Sequence, residues 1–122
     1  MSALIAVVPV RSGVVPAGGE EAVAEADGRA IVIGSDSLEA AESLAPISRS
    51  VTAVEAQVTG GAEWARIAAN VLARVAPDDS IVLPATPDGR DLAPHLALLL
   101  GVELMAGATE VAADRVRVAR QE

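Results

Sequence analysis

Hydrophobic positions along the chain follow two kinds of spacing. Ala3-Leu4-Ile5-Ala6-Val7-Val8 and Ala30-Ile31-Val32-Ile33 are continuous apolar runs, the pattern of strands buried on both faces of a parallel sheet. Pro9 and Ser12-Gly13 are expected to end the first. Val51-Thr52-Ala53-Val54 and Ser80-Ile81-Val82-Leu83 predict two further strands, and Val102 to Met105 a fifth. Between them the spacing becomes helical. Trp64, Ile67, Ala68, Val71, Leu72 and Val75 form one apolar stripe at i, i+3, i+4, i+7, i+8 and i+11, so a helix is predicted over about 62–76.

Shorter helices are predicted over 20–27, 38–45 and 92–100. Gly28 is expected as a left-handed C-terminal cap of the first. Asp36 and Glu39 read as a capping-box variant for the second, which Pro46 stops. For the last, Asp91 is expected as the N-cap with Pro94 in the first turn. Thr109-Glu110-Val111-Ala112 and Arg115-Val116-Arg117-Val118-Ala119-Arg120 read as a C-terminal β-hairpin. Strand and helix thus alternate four times before the final strands. The predicted fold is α/β: a three-layer Rossmann-like sandwich, helices on both faces of a mainly parallel sheet, in a single domain over 1–122.

Composition narrows what such a fold can do. Nine basic against seventeen acidic residues give a net charge of −8, and Trp64 is the one aromatic. A nucleic-acid partner, which needs a basic face and stacking rings, is not expected. All nine bases are arginine, so the lysine of a phosphate loop is missing. With no cysteine there is no disulfide framework, thiolate metal site or cysteine nucleophile. No apolar run approaches the roughly 18 residues of a membrane span. The first residues lack the basic stretch of a secretory signal, so a cytoplasmic location is expected.

In an open α/β sheet, ligands sit beyond the carboxyl ends of the strands. Residues 9–18, 34–37, 55–62 and 84–91 fall there. The first strand–helix turn has no Gly-x-Gly-x-x-Gly, which argues against a dinucleotide fold of the usual kind. Gly60-Gly61 opens the strongest helix and could present amides to an anion, though a helix start explains it as well. Gly34-Ser35-Asp36-Ser37 lacks nucleophile-elbow spacing and reads as capping. Asp78-Asp79 reads as turn chemistry at the other edge. His95 reads as a surface residue and Trp64 as core or interface packing. In 84–91, capping accounts for Asp88 and Asp91 but leaves Thr86 and Arg90 over. Thr86, Asp88, Gly89, Arg90 and Asp91 are therefore the candidate interface or ligand loop, with no catalytic or metal residue assigned.

That loop carries a resemblance. Leu83-Pro84-Ala85-Thr86-Pro87-Asp88-Gly89-Arg90-Asp91-Leu92-Ala93-Pro94-His95-Leu96-Ala97 resembles a segment of the alpha subunit of electron-transfer flavoproteins. Ala6-Val7-Val8 with Gly13-Val14-Val15-Pro16-Ala17 is similar to that family's opening, and Gly101-Val102-Glu103-Leu104 with Ala108-Thr109-Glu110-Val111 to its following strands. The variant associated with the mycofactocin system is the nearest in pattern. Two positions depart: Arg90 stands for the family's usual lysine and His95 for its usual arginine, so a role resting on an ammonium group does not transfer.

The resemblance implies an N-terminal domain of the adenine-nucleotide alpha-hydrolase-like type. In the family, a C-terminal domain binds FAD and a beta subunit completes a heterodimer that carries electrons from dehydrogenases. The expectation is a supporting and subunit-interface domain whose FAD domain is absent from these 122 residues. It would bind no cofactor itself and be no enzyme. The alternative is a stand-alone AMP- or ATP-binding module of universal-stress-protein type using Gly60-Gly61. A hydrolase built on the 84–91 carboxylates is weaker still, lacking a nucleophile–base pair.

Overall fold

The structure, a computed structural model, describes residues 3–58, 60–106 and 115–118, the last two strands as backbone. β1 (Leu4–Val10), β2 (Arg29–Gly34), β3 (Ser50–Glu55), β4 (Ser80–Leu83), β5 (Glu103–Ala106) and β6 (Arg115–Val118) form one sheet in the order β3-β2-β1-β4-β6-β5. Every registered pair is parallel. α1 (Gly19–Glu25) and α2 (Ser37–Leu44) cover one face; α3 (Gly61–Val75) and α4 (Pro87–Leu100) cover the other.

The continuous apolar runs are buried on both sides, as a sandwiched sheet requires. Ile5, Val7, Ile31, Ile33, Ile81 and Leu83 face α3 and α4, where they meet Trp64, Leu72, Leu92 and Leu96. Ala6, Val8, Val10, Ala30, Val32 and Val82 face α1 and α2, where they meet Ala22, Val23, Ala40 and Leu44. The first layer is built from large side chains and the second from small ones. Full burial of each Ile, Leu or Val stabilises by roughly 1.5–3 kcal/mol, so the α3/α4 layer carries more of the hydrophobic energy.

Four details differ from the sequence reading. β1 runs through Pro9 to Val10, because β4 pairs only with Leu4–Ala6 and Pro9 has a neighbour only in β2. A proline lacking its N–H is tolerated where one side of the strand is unpaired. α1 ends in a Schellman turn in which Gly28 is left-handed as expected (φ 80°) but Asp27, between it and the cap, is left-handed too (φ 56°). Gly28 follows with its amide on Val23 O at 2.9 Å. α4 starts at Pro87 rather than 92, so five of the eight residues of the expected loop are helix and Pro94 lies inside it. The hairpin is not among the described pairings: residues 109–112 lie outside the described residues, and β6 runs parallel to β4 and β5 on its two sides.

Candidate functional site

The chain passes from β1 to β2 and β3 on one side, then crosses back to β4 on the other. The reversal between β1 and β4 makes the carboxyl ends of these two strands the place where such sheets hold ligands. Arg11 follows β1, and Pro84 to Asp91 follow β4.

Arg11 and Asp88 bridge this crevice. Arg11 Nε donates to Asp88 Oδ2 at 2.8 Å and Nη2 to Oδ1 at 3.1 Å, a two-bond fork. The bond to Asp88 raises the Arg11 pKa above its usual value. Beneath the pair lies Trp64, whose ring centroid is 4.7 Å from the Arg11 guanidinium carbon. The indole is 1% exposed and donates its N–H to Ile33 O, at the end of β2, at 3.2 Å. One tryptophan thus fills the core below the crevice, ties α3 to β2 and supports the cation above.

The five loop residues have separable tasks. Thr86, buried, caps α4: its hydroxyl accepts from the Gly89 amide at 3.0 Å, with Pro87 at the first helical position. Gly89 lies so close to the strand end that a Cβ would stand 2.1 Å from Pro84 O. Asp88 holds Arg11. Asp91 is not the cap of its own helix; its Oδ2 accepts from the Gly61 amide at 2.9 Å and so caps α3. A Cβ on Gly61 would approach Asp91 O to 2.6 Å, so the close crossing of α3 and α4 depends on that glycine. Arg90 is exposed and has no ion pair among the described residues.

A third carboxylate, missed from the sequence, does the same for α2. Glu55 ends β3 and accepts from the amides of Asp36 at 2.9 Å and Ser37 at 3.0 Å, and from the Ser37 hydroxyl at 3.2 Å. The Asp36 amide, then the Ser37 amide, holds its pKa below the usual glutamate value. Asp36 and Glu39 form no capping box: the Asp36 side chain makes no cap bond. The only available signal was an acid closing a strand two elements away.

Helix N-termini at this edge are the ordinary anion cradle of α/β folds. Here Glu55 sits on α2, Asp91 on α3 and Thr86 on α4. The Gly61 amide is taken, and an anion placed at that terminus would face the Asp91 carboxylate. His95 is exposed on α4. Among the described residues, no group of three or more His, Cys, Asp or Glu could hold a metal ion, and no helix is long and apolar enough to cross a membrane.

Compared with models of known protein families and with curated proteins, the chain matches none.

Proposed function

We propose that the chain is a supporting and subunit-interface domain of the kind found at the N-terminus of the electron-transfer flavoprotein alpha subunit, in its mycofactocin-associated form. In this reading it works in the cytoplasm, FAD is held by another domain, and the assembled heterodimer carries electrons from dehydrogenases. The domain contributes shape and contacts rather than chemistry. The observation behind the supporting role is that the edge where a nucleotide would bind is filled by the chain's own groups: Glu55, Thr86, Asp91 and the Arg11–Asp88 bridge. The choice of family rests on the resemblance over 83–97.

Arg90, exposed beside the buried Gly89, is the cation this loop offers to a partner. The beta subunit is the partner that the resemblance implies. Size-exclusion chromatography of the chain mixed with an electron-transfer flavoprotein beta subunit tests this. A one-to-one complex, weakened by Arg90→Glu, is expected. Absence of a complex would refute the interface role, and stoichiometric FAD retained by the chain alone would refute the supporting role.

A further inference from the structure

β3 is an edge strand, and its open side is undefended. Among the described residues it pairs with β2 on one side and with no strand on the other. Its sequence, Ser50-Val51-Thr52-Ala53-Val54-Glu55, has no proline or lysine, the usual guards of an exposed edge. Ser50, Thr52, Ala53 and Glu55 are exposed. A groove of about 470 Å³, lined by Thr52, Val54, Val71, Arg74 and Val75, runs along its α3 side.

The hydrogen bonds show which groups are unpaired. Ser50 donates its amide to Gly28 O at 3.2 Å and Ala56 donates to Gly34 O at 3.1 Å. Even-numbered residues of β3 therefore turn their backbone groups toward β2. Those of Val51, Ala53 and Glu55 point outward, ready for a further strand.

We infer that this edge pairs with β3 of a second copy, antiparallel, about a two-fold axis through Thr52. An axis normal to the sheet keeps its two faces, so each residue must oppose one of the same parity. Centring on Thr52 puts Val51 opposite Ala53 and Ser50 opposite Val54. It also puts Arg49 opposite Glu55, twice by symmetry. Val51–Ala53 is then the hydrogen-bonded pair using the outward groups, and Thr52–Thr52 is the close non-hydrogen-bonded pair. Arg49, whose amide is held by Gly28 O at 2.7 Å just before the strand, meets Glu55 through its side chain alone. Arg49 can make this contact at little cost, because its present partner is Asp27 at 2.5 Å on an exposed surface. Glu55 accepts from α2 and keeps room for a guanidinium, since a carboxylate has about four acceptor positions. Centring on Ala53 instead would set Glu55 against Val51, so charge selects the Thr52 register. The product is a twelve-stranded sheet with both carboxyl-edge loops uncovered, an assembly independent of the role proposed above.

Analytical ultracentrifugation of the chain, with cysteine crosslinking, tests the dimer and its register. The chain has no cysteine of its own. A concentration-dependent dimer is expected. Thr52→Cys should crosslink on mild oxidation at least roughly tenfold faster than Ala53→Cys or the exposed α2 control Ser43→Cys, because residues on the axis have Cα atoms about 4.5 Å apart. Arg49→Glu should weaken the dimer roughly tenfold by setting like charges opposite each other. Ala53→Pro removes only an outward amide and should leave a folded monomer by circular dichroism. A chain that stays monomeric at millimolar concentration overturns the inference, including the case in which another protein covers the edge. So does Ala53→Cys crosslinking fastest.

Discussion

The two ends of the sheet each carry an arginine–aspartate pair, and the pairs differ in what they hold. At the amino edge Arg29 meets Asp79 at 2.5 Å and also donates to Leu4 O at 3.1 Å, joining β2, β1 and the start of β4. That pair is largely shielded, with side chains 30% and 15% exposed. At the carboxyl edge Arg11 and Asp88 are 56% and 30% exposed and rest on a buried ring. The amino-edge pair closes a seam between strands. The carboxyl-edge pair closes a crevice where other α/β proteins keep a ligand. The contrast shows one residue chemistry serving as structure at one end and as a stopper at the other, with burial and topology deciding which.

The sharpest break of this contrast is to empty the floor of the carboxyl edge. Trp64→Ala should cost about 4 kcal/mol, read as a fall in the urea midpoint, since it removes a fully buried ring and leaves Ile33 O without its donor. Next in size, Gly89→Ala should cost about 2–3 kcal/mol, because backbone rather than a flexible side chain lies in the way. A loss below about 0.5 kcal/mol would show that the loop can move away from Pro84.

The pairs themselves give the direct comparison. Asp79→Ala should destabilise by about 1–2 kcal/mol by leaving a half-buried guanidinium and costing a seam. Asp88→Ala should cost less than about 1 kcal/mol, as exposed pairs do. Equal losses in thermal melts would erase the distinction between seam and stopper.

The smallest effect is in pH. The folded state holds Glu55 below its unfolded pKa, near the usual 4.5. Its contribution is therefore complete above that value and is lost as pH falls through the lower, folded one. Wild-type protein should lose this part of its stability below about pH 4.5. Glu55→Gln should lack that component, seen as a flatter acid limb in pH-dependent urea unfolding.

The layers were legible in the sequence because their signals are local. The apolar runs of β1 and β2 and the i, i+3, i+4 stripe of α3 each describe one element's own burial. The carboxyl edge was legible only in outline. Residues 84–91 stood out as dense and polar, and Thr86, Asp88, Gly89 and Asp91 all lie at that edge. Their partners were not readable, because Arg11 is separated from Asp88 by 77 positions and Gly61 from Asp91 by 30. The start of α4 was misplaced for a different reason: Thr86-Pro87-Asp88-Gly89 has the residues of a turn, yet threonine followed by proline is equally a cap and first helical position. Glu55 escaped notice because its role is to cap a helix that precedes it in the chain.

The central claim is that the chain's own side chains occupy the place of a nucleotide. Isothermal titration calorimetry of the purified chain with ATP, then with FAD, at millimolar concentration tests it most directly. The account predicts heats of dilution alone for both. A saturable one-to-one isotherm with either ligand would contradict it.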